Sequence, residues 1–242
     1  MQAPPILTRR LLMLGLGYAI AAPGRAAPLR LGSDVAGRKG SQRGAIKVLE
    51  QAYFSIGMTV VIEPLPLRRA LALLSNGELD GDVARIAETV AEMSHVLRVP
   101  VPIETMEVRA LSRKPLPTGF SLGDARSLTV ITQRGVRMIE RLSSDFPQRI
   151  EANDFPDMLR YLNVGQGSVL FFAMPAGAPW PVEAKGLYVS AQPLHIAPLF
   201  HVLHERHAAL LPRITQALRA MEASGEADGL RRAAHQTPAP TP

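Results

Sequence analysis

The sequence predicts an α/β protein with two mainly parallel β-sheet units flanked by helices. Three observations carry this. Strand–helix–strand–helix–strand order occurs twice along the chain. The helical segments have apolar residues at three- and four-residue spacing, and the strands between them are β-branched or wholly apolar. Of the 242 residues, 47% are hydrophobic and 20% charged, a globular composition with enough chain for a real core.

The first unit opens with "PLRLGSD" (28–34), a strand running into a polar loop. "GSQRGAIKVLEQAYFSIGM" follows as a helix, with Ala45, Val48, Leu49, Ala52 and Ile56 near helical spacing and Gly57 as the stop. "TVVIEPLP" (59–66) is a β-branched strand closed by prolines. Leu67, Ala70, Leu71 and Leu74 then make an amphipathic helix ended by Asn76-Gly77. "LDGDVARI" is the third strand. The proline-spaced segment 96–116 reads as an extended connection leading to a strand near Glu107–Ser112.

The second unit begins with "SLTVITQRG" (127–135), a strand ending in a glycine loop. The helix "VRMIERLSSDF", the short strand "RIEANDF", the helix "PDMLRYLNVG" and the apolar strand "SVLFFAMPAG" follow. Leu187–Ala191 is expected as a return strand. Leu211, Ile214, Leu218 and Met221 mark a last helix that stops at Gly225. Residues 236–242 are expected to be a disordered tail.

The N-terminus reads as a secretory signal peptide over residues 1–26. Paired arginines at Arg9 and Arg10 precede an apolar run, then small residues, with cleavage expected after Ala26. The apolar run is too short to span a bilayer. Both twin-arginine and general secretory export fit it. Cleavage removes three of the 27 basic residues and none of the 21 acidic ones, lowering the net charge from +6 to +3. With scattered charge and 5% aromatics, nucleic acid is not an expected partner. The absence of cysteine excludes disulfides and thiolate metal sites.

The signal peptide, "LPLRRALALLSNGELDGDVAR", "SLTVITQRG", "MLRYLNVGQGSVLFF" and "FHVLHERHAALLPRITQALRAMEASGE" occur in an order that resembles a known family. It is that of the bacterial periplasmic solute-binding proteins of the extracellular type 3, amino-acid-binding-protein-like group. The resemblance implies a two-lobed type II periplasmic binding protein fold, its lobes joined by two crossing strands. Residues 27–110 plus 191–235 would form the first lobe and residues 111–190 the second. It also implies a monomer without cofactor or enzymatic activity. Such a protein captures a small solute between its lobes and hands it to an ABC permease, or reports it to a membrane sensor. The chain departs from the family in two places. No Thr-x-x-Arg arrangement occurs in "VARIAETVAEM", and "SDVAGRKGS" has no aromatic pair. The resemblance therefore implies a carboxylated solute without naming it.

Ligands of parallel sheets gather at the C-terminal strand ends, and the candidate residues fall there. Arg85, ending a core strand, can take a carboxylate through two parallel hydrogen bonds; its structural alternative is an ion pair with Asp80, Asp82 or Glu88. Arg69 lies at the start of the helix that follows the second strand, and Arg68 is left to solvent. Arg134 and Gly135 precede a helix, where backbone N–H groups bind anions. Asp34 either accepts an ammonium group or caps the next helix. Trp180 is expected to pack.

His201, His204 and His207 form H-x-x-H-x-x-H. On a helix the first and third lie about 240° apart, so they are read as surface residues and no metal is expected. The alternative of a lyase or dehydratase on the same two-lobed fold needs a cleft acid or base, and Glu104 and Glu107 lie on the crossing without an evident partner. No H-E-x-x-H, P-loop or G-x-S-x-G occurs, and "GQGS" precedes a strand rather than a helix.

Overall fold

The computed structural model describes residues 27–34, 42–91 and 93–236. The predicted signal peptide and residues 237–242 of the predicted tail lie outside the described residues. The first unit is β1 (Leu29–Asp34), α1 (Arg43–Ser55), β2 (Val60–Leu65), α2 (Leu67–Ser75), β3 (Gly81–Ile86) and the short α3 (Ala87–Ala91). A long strand, β4 (Val96–Ser112), leads into α4 (Leu122–Ala125), β5 (Val130–Gln133), α5 (Arg137–Leu142), β6 (Arg149–Ala152), α6 (Phe155–Asn163) and β7 (Val169–Pro175). The chain closes with β8 (Tyr188–Val189), β9 (His195–His204), α7 (Leu211–Ser224) and α8 (Glu226–Gln236).

The local reasons for these elements are visible. Ala45, Val48, Leu49, Ala52 and Tyr53 lie buried on one face of α1. The side chain of Asp154 caps α6 by accepting Asp157 N–H at 2.8 Å, with a proline in the first turn. Ser121 and Asp124 form a reciprocal capping box on α4. Helix α7 ends where Gly225 adopts φ 76°, a left-handed position favouring glycine.

Among the described residues, the nine strands join one sheet, in the order β2-β1-β3-β9-β4-β7-β5-β6, with β8 on β4. The trios β2-β1-β3 and β6-β5-β7 are internally parallel. Strand β9 runs antiparallel to both β3 and β4. Strand β4 then runs antiparallel to β7. Residues Met106, Glu107 and Val108 face β9 on one side and β7 on the other, so β4 belongs to both halves.

One core joins α1, β1, β3, β9 and α7, and two smaller ones lie on either face of the second trio. Met138 of α5 and Ala173 of β7 pack against the first core and the second at once. The two halves thus touch through side chains as well as through the crossing strands.

Three expectations need correction. The strand expected near Glu107–Ser112 begins at Val96. Pro100 and Pro102 do not stop it because the ladder shifts register between Arg98 and Glu104, where a missing N–H is tolerated. The return strand expected at Leu187–Ala191 is only the two-residue β8, and the long partner of β4 is β9. Beyond the predicted stop at Gly225 the chain turns and resumes helix as α8.

Candidate functional site

The C-terminal ends of β3 and β5 carry the predicted site. Arg85 is 5% exposed, and its Nη2 lies 2.5 Å from Oδ2 of the buried Asp82. A strand does not ordinarily turn residues three apart toward each other. Here the register shift against β9 between Asp82 and Arg85 allows it. Arg85 Nη1 donates to Ala84 O at 3.1 Å, while its buried Nε has no hydrogen-bond partner. The ion-pair alternative for Arg85 is therefore realised, with its Nε–H left without a partner.

Asp82 is held from behind. Its carbonyl accepts from His201 Nδ1 at 2.7 Å, and His201 Nε2 lies 2.8 Å from the Tyr53 hydroxyl. A carbonyl only accepts, so the proton sits on Nδ1 and Nε2 accepts from Tyr53. Burial holds the His201 pKa down at about 4, opposed by its backbone hydrogen bonds to Asp82 and Val83. Burial likewise raises the Tyr53 pKa, with the Asp80 charge adding to it. His201 is fully buried, which corrects its reading as a surface residue on a helix. His201 and His204 lie on β9, and His207 lies in the 3-10 turn after it. The signal for a strand was present, since Ala197, Leu199, His201 and Leu203 alternate inward. Among the described residues no histidine or carboxylate cluster could hold a metal.

The remaining predicted residues are spread along the edge. Arg68 and Arg69 are exposed on α2. Arg134 is 66% exposed, its Nε 3.7 Å from Glu151 Oε2. Gly135 has φ 82°, and its N–H donates to Glu140 Oε1 at 2.7 Å. The donor expected to grip a ligand thus already holds a carboxylate, one supplied by its own helix. The Asp34 side chain lies outside the described residues. Trp180 is 37% exposed and tilts against Phe172 at 6.2 Å between ring centres, in line with packing.

A cavity of about 320 Å³ lies between the two halves, its lining starting at Ile86, the residue after Arg85. One wall is Ile86–Glu88, the other is Met138, Arg141 and Leu142 of α5, and residues His195–Pro198 of β9 complete it. Its lining is mainly apolar, with Glu88 and Arg141 supplying charge of either sign and His195 an imidazole. Such a space suits a small amphiphilic solute carrying a charged group.

No family model and no curated protein sequence matches the chain. Solved structures do. The GluR0 ligand-binding core in complex with L-glutamate has a TM-score of 0.66 at 16% identity, over 86% of this chain and 98% of that one. A histidine kinase sensor domain with similarity to periplasmic binding proteins has a TM-score of 0.63 at 18% identity, over 88% and 97%. An amino acid ABC transporter substrate-binding protein, AbpA from Streptococcus pneumoniae, bound to L-arginine, has a TM-score of 0.62 at 14% identity, over 88% and 97%. Likeness at such identities speaks for the backbone, and across nearly the whole length of each protein this chain has the two-lobed type II periplasmic binding protein fold.

Proposed function

We propose that this protein is exported to the periplasm and binds a small carboxylated solute between its lobes. The observation that carries the reading is the cavity of about 320 Å³ walled by both halves, its lining starting at Ile86, one residue beyond the buried Arg85. Arg85 offers its unfilled Nε–H and a permanent charge. Arg69 and Arg134 would serve as further anion contacts, Gly135 would do so once its N–H is released from Glu140, and Asp34 would be the contact for an ammonium group. The solutes of the similar structures, L-glutamate and L-arginine, both carry a carboxylate and favour this class. Capture without chemical conversion, followed by delivery to an ABC permease, is the first role. The likeness to a histidine kinase sensor domain supports a second, in which the bound form signals to a membrane receptor.

The test is a thermal-shift screen of the mature protein against amino acids, dicarboxylates and sugars. A solute present at a hundred times its Kd stabilises by about 2.7 kcal/mol. For a chain of this size that raises Tm by roughly 5–10 °C. The shift should disappear in Arg85→Ala and shrink in Arg69→Ala. A screen in which no carboxylated solute raises Tm, or a shift indifferent to Arg85, would sink the proposal.

A further inference from the structure

A larger cavity, about 480 Å³, lies on the crossing strand away from the predicted site residues, none of which lines it. Its walls are Pro102, Glu104 and Thr105 of β4, the turn at Ala176–Gly177, and the ends of the two C-terminal helices. Its hydrogen-bonding groups are unbalanced. Arg231 has spent its terminal nitrogens: Nη1 on Ile103 O and Glu222 Oε1, Nη2 on Glu222 Oε2 and Asp228 Oδ1. Two polar atoms of the wall are not spent. Glu104 is 3% exposed, and its Oε2 is buried with no hydrogen-bond partner. His235 Nε2, 3.4 Å away, is buried and equally without one.

Gly44, in the first turn of α1, makes room for this arrangement. A Cβ there would come within 2.6 Å of Glu104 Oε2 and 3.1 Å of His235 Nε2. A buried carboxylate oxygen with no donor is costly, and so is an idle imidazole nitrogen. Arg232 is the other cation on the wall, and it is exposed. What fits the remainder is an occupant that brings both N–H donors and positive charge.

We propose that this cavity on the crossing strand binds a small primary ammonium compound, whose N–H groups are accepted by Glu104 Oε2 and His235 Nε2. Glu222 and Asp228, also on the wall, are already paired with Arg231. The site is separate from the interlobe cavity, and its ligand needs no carboxylate.

The experiment is a calorimetric titration of the mature protein with methylammonium, and with tetramethylammonium, which has the same charge but no N–H. Methylammonium should bind saturably and tetramethylammonium should not. Glu104→Gln should weaken methylammonium by about tenfold or more, the loss of one charged hydrogen bond. His235→Leu, at the end of the last helix, asks the same question if the Glu104 variant does not fold. Arg68→Ala, at a solvent-exposed side chain, should leave the binding unchanged. The proposal is overturned if methylammonium does not bind, if tetramethylammonium binds equally, or if neither wall variant weakens binding. In each case His235 and Glu104 form a self-contained pair. Because the probes carry no carboxylate, these outcomes leave the interlobe reading untouched.

Discussion

Replacing His201 with asparagine should remove a large part of the protein's sensitivity to acid. Burial holds the imidazole pKa at about 4, against an ordinary 6.5. Between those values the folded chain keeps His201 neutral while the unfolded chain binds a proton there. Stability from this group is therefore complete above the unfolded pKa and is lost as pH falls toward the folded one. At about 1.36 kcal/mol per unit, the shift amounts to about 3 kcal/mol by pH 4. Asparagine retains an N–H near the position of Nδ1 that can donate to Asp82 O, but it does not titrate. At neutral pH it leaves the Tyr53 hydroxyl without its acceptor, at a cost of about 1–3 kcal/mol. The two proteins should thus differ in stability near neutrality and converge in acid. Urea denaturation of both, at steps from about pH 4 to 7.5, reads this directly. If they lose stability in parallel across that window, His201 is not held neutral and the assigned tautomer is wrong.

Asp80 accepts from Arg30 N–H at 2.7 Å and from Arg206 and His207 at 2.6 Å each. Its pKa is lowered: burial opposes this, but the Arg30, Arg206 and His207 hydrogen bonds outweigh it. Its contribution is present above the ordinary carboxylate value and fades as pH falls through the lower folded one. Asp80→Asn should cost about 1–3 kcal/mol at neutral pH, measured by urea denaturation, and the gap should narrow in strong acid. Gly225→Ala should lower stability by about 1 kcal/mol in the same assay, because a side chain is disfavoured at φ 76°. Glu140→Ala frees the Gly135 N–H, so an interlobe carboxylate that uses this donor should bind more tightly by titration calorimetry. A carboxylate that bypasses it should bind unchanged.

How much of this could be read in the sequence depends on whether the information is local. Helices α1 and α6 and the parallel trios were legible because apolar spacing and turn residues sit within each segment. The β4–β9 pair was not. Its prolines normally exclude a central strand, and only the register shift near Pro102 reconciles them with the ladder. The histidines were misread because their spacing was tested on a helix, whereas two of them sit on a strand with one side chain turned inward. The partners of Arg85 were foreseen as a set, with Asp82 among them. Which partner it takes depends on a bulge against a strand more than a hundred residues later, and no local pattern reports that. The same holds for Glu104 and His235, which meet across 131 positions of chain.

The position of β9 also bears on how the chain comes off the ribosome. Strand β3 ends at Ile86 and β4 begins at Val96, yet the two do not pair; β9, starting at His195, lies between them. Nascent chain carrying everything up to β8 can close the second trio around its own short-range contacts. The first half must wait with an open seam, its β3 edge and one flank of β4 unpaired, until synthesis is nearly complete. That late closure carries the entropic cost of a long loop. It also means that a chain truncated before β9 would expose two adhesive edges, whereas one truncated after it would keep its sheet and lose only the helices that cover it.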